Sequence, residues 1–124
     1  MNFPPVNYIV MALKIIEHGT PDFQKMVKLR EDILGKPLGL GFTTNELEQE
    51  KSNILIGAFE DEDILGCCML VEENPEIVRL RQMAVLNDLQ GKGIGRAIMH
   101  FAENIARDRG YSICLLYTSD AADE

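Results

Sequence analysis

The chain has 124 residues, a formal net charge of -8, 26% charged residues and 46% hydrophobic residues. This length and composition are typical of one small soluble globular domain with a modest core. The acidic balance excludes nucleic acid and anionic membranes as default partners, because a surface that binds phosphate needs net positive charge.

The N-terminal segment, residues 1–11, carries no mark of a targeting signal. It contains no basic residue and no clear cleavage site, and no stretch of the chain is long enough to span a membrane. Met11 directly precedes the first apolar run and is a second candidate start of translation. We expect residues 1–11 to be a disordered extension of a single domain that covers residues 1–124.

A strand and a helix are the first predicted elements. Ala12–Glu17 is a short, apolar-rich strand. Thr20 suits a helix N-cap, Pro21 the first helical position, and Asp22 the positive end of a helix. Apolar residues then recur at helical spacing until Gly35, which ends the helix.

A glycine-rich loop, a short helix and a β-hairpin follow. The loop is "GKPLGLGF", and "TTNELEQE" predicts the helix because Thr43 and Glu46 fit a capping box. Two apolar runs, Asn53–Glu60 and Ile64–Glu72, then predict the hairpin. The connecting Asp61-Glu62-Asp63 lacks the glycine of the most favourable hairpin turns.

The second half of the chain predicts a strand, a helix and a last strand. Glu76–Val85 is an extended run, and Tyr111–Leu116 is a buried strand after Gly110, a natural helix end. Ile94–Arg109 between them is an amphipathic helix. A strand, a turn, a helix and a strand form a βαβ unit, which implies a parallel pair and an α/β fold class. The apolar face of the helix consists of Ile94, Ala97, Ile98, Phe101, Ala102, Ile105 and Ala106.

The cysteines favour core positions and a reducing compartment. Cys67 and Cys68 are adjacent in a predicted strand, so they point to opposite faces and are better explained as core residues than as a metal or redox site. With Cys114 the number is odd, and no metal-ligand spacing occurs. We therefore expect a cytoplasmic protein without a bound metal.

Three glycines stand at alternate positions before the amphipathic helix: Gly91, Gly93 and Gly95. A helix start has unpaired N–H groups and positive potential, and glycines let an anion approach the backbone. Lys92 and Arg96 add positive charge, so the turn is a candidate phosphate site, with a purely structural turn as the alternative. The spacing is neither G-x-G-x-x-G, which would need glycine in place of Arg96, nor the ATP-binding P-loop pattern.

The six residues Gln90-Gly91-Lys92-Gly93-Ile94-Gly95 fit the pattern [QR]-x-x-G-x-[GA], placed after a strand and opening a helix. In this the sequence resembles the GCN5-related N-acetyltransferase (GNAT) superfamily, and "RLRQMAVLNDLQGKGIGRAIM" is similar to its members along its whole length. The resemblance covers roughly Ala12–Ile113. It implies a mixed central sheet with helices on both faces, here lacking the family's last helix and strands.

The resemblance also implies acetyl-CoA as the cosubstrate. Backbone groups of the strand before the motif would bind the pantetheine arm, and the loop N–H groups the pyrophosphate. The same strand would bend away from its neighbour to leave a wedge for the thioester, with a backbone N–H near Met83–Val85 facing the oxyanion. The implied binding residues are Met83, Ala84, Val85, Gln90, Gly91, Lys92, Gly93, Ile94, Gly95 and Arg96.

No catalytic side chain is assigned. Histone-modifying members of the family carry a glutamate on this strand, and alignment on Gln90 places Arg79 there. Three nearby glutamates in "EENPE" are candidates for holding a water chain, but a solvated loop is the preferred interpretation. His18 is expected in a turn and His100 on the solvent side of the helix. Tyr117 comes too early for the family's leaving-group acid.

The last eleven residues, Cys114–Glu124, resemble a translation of transposon-adaptor DNA. We expect them to be a non-native tail that cuts the gene near Ile113, with a genuine acidic C-terminus as the alternative. A complete family member has a further helix and two strands, so the last strand would be an exposed edge. On that reading the chain would aggregate readily and be weakly active.

The resemblance implies an acetyl-CoA-dependent N-acetyltransferase. It would transfer the acetyl group directly, in a ternary complex, to a primary amine of a small molecule or peptide; the acidic balance favours a cationic or amine acceptor. The alternatives are a non-catalytic CoA- or nucleotide-binding module and a structural domain without a ligand. The acceptor, the general base and the oligomeric state, including a homodimer, stay open.

Overall fold

The structure is a computed structural model that describes residues 10–35, 43, 47 and 52–116. In these residues two α-helices flank a five-stranded sheet, which confirms the predicted mixed sheet with helices on both faces. The elements are β1 (Ala12–Ile16), α1 (Pro21–Arg30), a π-helical turn (Glu31–Gly35), β2 (Ile54–Glu60), β3 (Asp63–Asn74), β4 (Ile77–Val85), a 3₁₀ turn (Asn87–Leu89), α2 (Ile94–Asp108) and β5 (Ile113–Leu116).

Several predicted segments lie outside the described residues: the extension before residue 10, the glycine-rich loop and the chain after residue 116. The predicted short helix is described only at Thr43 and Leu47, where the Leu47 N–H donates to the Thr43 carbonyl at 3.1 Å. Residues 113–116 form β5, and the non-native origin of the tail stays a prediction.

The strands follow each other across the sheet in chain order, β1 to β5. The first three pairings are antiparallel, and β4 with β5 is parallel. A parallel pair needs a long crossover, which α2 supplies, so the predicted βαβ unit is confirmed. The β4–β5 register runs from Ile77 opposite Ile113 to Leu80 opposite Leu116. The predicted wedge beside Met83–Val85 would begin after Leu80, the last β4 residue that pairs with β5. It stays a prediction.

Among the described residues, the core consists of two apolar clusters, one on each face of the sheet. The cluster under α1 includes Cys67, and the cluster under α2 includes Cys68. Both thiols are fully buried, so the predicted core positions on opposite faces are confirmed. Burial raises the pKa of the Cys68 thiol, which keeps it protonated and unreactive.

The helix ends follow their predicted signals. The Thr20 hydroxyl accepts a hydrogen bond from the Phe23 N–H at 3.2 Å, with Pro21 at the first helical position. The α-helical part of this segment ends at Arg30, and the π-helical turn carries the chain on to the predicted end at Gly35. Gly110 has φ +92° and ends α2, as predicted.

No helix in the described part of the chain is long and apolar enough to cross a membrane.

Candidate functional site

A β-bulge interrupts β4 three residues before its end. Cys67 pairs with Ala84 and Met69 with Arg81, so Gln82 and Met83 lie opposite the single residue between those partners. Gln82 has φ +56°, a left-handed conformation that is uncommon outside glycine. The extra residue turns the following side chains to the other face of the sheet.

The bulge changes which cluster each β4 side chain joins. Val78 and Leu80 belong to the cluster under α2, and so does Val85, at an odd spacing that a regular strand would not allow. Ala84 belongs to the cluster under α1. The bulge therefore reorients the backbone of Met83–Val85, the segment from which the resemblance implies pantetheine contacts.

Gln90 fixes the loop that follows β4. Its side-chain amide Nε2 donates to the Val85 carbonyl at 3.0 Å and to Asn87 Oδ1 at 3.2 Å. Both acceptors belong to the chain that enters the loop, so the Gln90 side chain holds the turn closed. This gives the first residue of the motif a structural task of its own.

The three glycines of the motif serve two different needs. Gly91 has φ +81° and Gly93 has φ +90°, conformations that strain any residue with a Cβ. Gly95 has no such constraint, and a Cβ there would lie 3.8 Å from Val85 Cγ2, an ordinary contact. The protein's own packing therefore does not require glycine at 95. A side chain there would instead narrow the neighbouring cleft.

The start of α2 has no cap. Gly93 occupies the N-cap position and has no side chain to offer, and the first turn contains no acidic residue. The Ala97 N–H makes the first intrahelical bond, to the Gly93 carbonyl at 3.0 Å. By helix geometry the N–H groups of Ile94, Gly95 and Arg96 have no acceptor within the helix. Helix α1 differs, because Thr20 caps it and Asp22 lies in its first turn.

An open cleft of about 460 Å³ lies at this helix start. Arg96 lines the cleft, which therefore combines amide donors, the positive helix end and a cation, and the exposed Lys92 side chain belongs to the same turn. Its lining residues are Val85, Gln90, Gly91, Gly93, Gly95 and Arg96.

The side chains of three further predicted binding residues, Met83, Ala84 and Ile94, pack in or against the core. The Ile94 side chain is 1% exposed and anchors α2 beneath the cleft, and Ala84 is 2% exposed under α1. Met83 packs against the α2 cluster. The side chains of Ile94 and Ala84 are therefore closed to a ligand, whereas that of Met83 is only partly buried.

Two of the three candidate glutamates lie on a strand, so the loop interpretation of "EENPE" is wrong for them. Strand β3 extends to Asn74, and only Pro75 and Glu76 form the turn. Strand β3 is longer than the predicted Ile64–Glu72, and the Asn74 side chain accepts from the Glu76 and Ile77 N–H groups to close the tight turn between β3 and β4. The expected solvent exposure of the glutamates is confirmed.

Each strand glutamate has a specific partner. Glu73 receives a two-pronged hydrogen bond from the Arg79 guanidinium, which lowers the pKa of the Glu73 carboxyl. The Tyr111 hydroxyl donates to Glu72, and this bond raises the pKa of Tyr111. A carboxylate with a lowered pKa is a weak base, so Glu73 is poorly suited to remove a proton.

The histidines lie outside the cleft. The His100 side chain is 71% exposed, with Nδ1 3.5 Å from a Glu103 oxygen, so its predicted solvent position is confirmed. His18 lies in a turn, as predicted, where its ring stacks on Phe23 and Nε2 is 3.1 Å from the Leu47 carbonyl oxygen.

The sequence matches a known protein family over most of its length. The model of the Acetyltransferase (GNAT) family matches residues 16–123. The chain belongs to the GNAT acetyltransferase family. Acetyl-CoA is the cosubstrate of these enzymes, and the cleft has the chemistry that a diphosphate needs, because uncapped amides and the Arg96 side chain border open space at Gly91 and Gly93.

Individual relatives of this GNAT chain are distant. It is 24% identical over 119 residues to a probable N-acetyltransferase 14 of Xenopus tropicalis, which covers 95% of this chain. The match spans 50% of that relative's length.

Solved structures share the GNAT fold. A GNAT family acetyltransferase from Elizabethkingia anophelis with acetyl-CoA bound superposes with a TM-score of 0.61 and 22% identity, covering 82% of this chain and 60% of that one. An aminoglycoside acetyltransferase from an uncultured soil metagenomic sample, in complex with sisomicin, gives a TM-score of 0.72 at 14% identity. That match covers 91% of this chain and 80% of the other.

Proposed function

We propose that the chain is an acetyl-CoA-dependent N-acetyltransferase that acts on a primary amine of a small molecule or peptide. Direct transfer within a ternary complex is part of the proposal. The observation that carries it is the uncapped start of α2, which opens into a cleft of about 460 Å³ next to the end of β4. Family membership supplies the reaction class.

The cosubstrate would be held chiefly by main-chain groups. The N–H groups from Gly91 to Arg96 would donate to the diphosphate, with Lys92 and Arg96 adding charge. The backbone of Met83–Val85, turned by the bulge, would receive the pantetheine arm. Binding through main-chain groups would depend little on the identity of the side chains, so very different sequences could bind the same cosubstrate.

Acetyl transfer by this chain would depend mainly on backbone groups and little on side chains. Bound acetyl-CoA supplies the thioester that is attacked. A backbone N–H at Met83–Val85 would stabilise the developing oxyanion, and the surrounding wall would position the amine. No carboxylate or imidazole is among the described residues that line the cleft, so the acceptor is expected to react as the neutral amine.

Other features support the remaining parts of the proposal. The soil metagenomic relative is an aminoglycoside acetyltransferase in complex with sisomicin, which supports an amine acceptor. The three cysteines in the described residues are free thiols, which supports a reducing, cytoplasmic compartment.

The glycine at 93 provides the test of the site. We expect Gly93→Val to abolish CoA binding in calorimetry, because the new side chain strains the loop and blocks the amides. Gly110→Val is the matched control: it has φ +92° and open space, and it lies at the other end of the same helix. Equal CoA affinity in both variants would reject the proposed site.

The reaction is tested separately from binding. Acetyl-CoA-dependent release of free thiol over a panel of primary amines would support the transferase. CoA binding without thiol release on any amine would favour the alternative, a non-catalytic CoA- or nucleotide-binding module. That alternative draws on the lack of a side-chain base among the described residues of the cleft.

A further inference from the structure

Two arginines of β4 point to the same face of the sheet. Val78 and Leu80 belong to the cluster under α2, so the residues that alternate with them, Arg79 and Arg81, face the α1 side. The register agrees, because Arg81 lies opposite Met69, a member of the cluster under α1. Both arginines precede the bulge.

This face adjoins the proposed reaction centre. Arg81 is two residues before Met83, about 7 Å along the strand, and Arg79 is about 13 Å away. By the family resemblance, Arg79 aligns with the position at which histone-modifying members carry a glutamate. In this chain that position holds a cation instead.

The structure already shows how this face binds a carboxylate. The Arg79 guanidinium donates from Nε and Nη2 to the two oxygens of Glu73. The charge of Arg81 also acts on Glu73 and contributes to lowering the pKa of its carboxyl. The Arg79 and Glu73 side chains are 32% and 38% exposed, and an ion pair at that exposure is weak enough for a ligand carboxylate to compete.

Apolar side chains complete the surface. Ile77 alternates with Val78 along β4 and pairs with Ile113 of β5, so both isoleucines share the face of the arginines. Ile113 is 47% exposed and Ile77 is partly buried. Cations beside partly exposed aliphatic groups suit a ligand that has a carboxylate and an apolar portion.

We propose that the acceptor is an amine that also carries a carboxylate, which Arg79 and Arg81 bind on the α1 side of β4. This inference rests on the proposed N-acetyltransferase function. The two guanidinium groups attract the carboxylate and disfavour a nearby ammonium group, so they favour the neutral, nucleophilic amine next to the bulge.

Matched acceptors and products test the inference. Leucine and 4-aminobutyrate are compared with their carboxamides in the thiol-release assay. N-acetylleucine and N-acetylleucinamide are compared in calorimetric binding, where no amine titrates and no turnover is needed. We expect the carboxylate member of each pair to be favoured about ten-fold or more.

Variants assign the effect to the arginines. Arg81→Gln should remove most of the preference for the carboxylate in both assays, while Arg81→Lys, which retains the charge, should keep part of it. Arg109→Gln removes the same charge from an exposed position at the end of α2 and should change neither. Circular dichroism verifies that each variant is folded. If Arg81→Gln does not fold, the test is whether Arg81→Lys reduces the preference for the carboxylate.

The outcomes separate this inference from the proposed function. Equal use and equal binding of acid and amide, or a preference that survives in Arg81→Gln, would overturn the inference and leave the transferase intact. Failure of the chain to release thiol with any amine, together with Arg81-dependent binding of N-acetylleucine, would overturn the transferase and support the carboxylate site. Failure of N-acetylleucine to bind and of any amine to react would overturn both.

Discussion

At the scale of single residues, the three glycines of the motif are needed for two different reasons: two for their backbone conformation and one for the space that it leaves in the cleft. Gly91 and Gly93 adopt left-handed backbone conformations, whereas Gly95 is the second residue of α2 and has an ordinary helical place. A side chain at 91 or 93 should therefore strain the loop and lower the stability of the fold. A side chain at 95 should cause no such strain and should narrow the cleft.

This division gives Gly95→Ala an unusual expected signature. Alanine favours a helix over glycine by up to about 1 kcal/mol, so the variant should melt at a higher temperature than the natural chain. Its methyl group projects toward the cleft, so CoA affinity should fall. Gly93→Ala is the comparison and should lower stability by about 1–2 kcal/mol. A Gly95→Ala chain with unchanged CoA affinity would show that this wall does not contact the ligand.

The bulge in β4 is not predicted by the local sequence. The stretch Glu76–Val85 predicts one continuous strand, and its middle contains no glycine or proline to announce an irregularity. Gln82 adopts φ +56° because the packing of Ala84 and Val85 on opposite faces fixes it there. Such a conformation follows from tertiary contacts, and local propensity does not encode it.

At the scale of elements, the β2–β3 hairpin shows a turn made without its preferred residue. Glu60 pairs with Asp63, which leaves Asp61 and Glu62 as a two-residue loop. Asp61 has φ +54°, the conformation that glycine adopts without strain. Aspartate tolerates that conformation better than most residues, so the hairpin predicted from the flanking apolar runs forms all the same.

Asp61→Gly should therefore stabilise the chain. Relief of left-handed strain outweighs the extra entropy of glycine in the unfolded chain, for a net gain of about 0.5–1 kcal/mol in the free energy of unfolding. Glu60→Gly, within the neighbouring strand, should lower stability by a similar amount. Urea titration of both variants measures the difference. A destabilised Asp61→Gly chain would mean that the aspartate side chain holds the turn.

An ion pair joins the start of α1 to β1 and makes stability depend on pH. Lys14 Nζ lies 2.8 Å from Asp22 Oδ2, and this hydrogen bond lowers the pKa of the Asp22 carboxyl below its ordinary 3.8. A depressed carboxyl pKa stabilises the fold above the ordinary pKa, and this stabilisation disappears as the pH falls through the folded-state value.

Asp22→Asn should accordingly lower the melting temperature at pH 7 and have a smaller effect as the pH falls below about 3.8. Melting curves of the natural chain and the variant across this range measure the effect. Lys14→Met removes the partner, and in that background Asp22→Asn should have a nearly constant effect. A pH-independent difference with Lys14 present would assign the role of Asp22 to the helix end alone.

At the scale of the whole molecule, apolar periodicity predicts the order of the elements and the parallel pair, and the family resemblance implies the helices on both faces. Contacts between distant residues are another matter. The Tyr111–Glu72 bond joins residues 39 positions apart, and the Arg79–Glu73 pair crosses the β3–β4 hairpin. Both depend on register, which a sequence pattern leaves undetermined, so the face of Arg79 and Arg81 that we propose to bind a carboxylate could be recognised only in three dimensions.

The two-sided core makes thiol reactivity a probe of global unfolding. Cys67 and Cys68 are fully buried on opposite faces of the central strand β3, so both should react with a thiol reagent only when the sheet opens. Cys114, on β5, is partly exposed. The native chain should therefore show one thiol that reacts early and two protected thiols, and Cys114→Ser should remove the early one.

The protected thiols also report ligand binding across the whole domain. A ligand that binds only the folded chain stabilises it in proportion to the logarithm of its concentration, so CoA at about 100 times its dissociation constant should slow their labelling about 100-fold. Gly93→Val should lose this protection, and Gly110→Val should keep it. Labelling of Cys67 and Cys68 at different rates would show that the two faces of the sheet open independently. Equal rates that fall together on adding CoA would show that the glycine loop is coupled to the entire core.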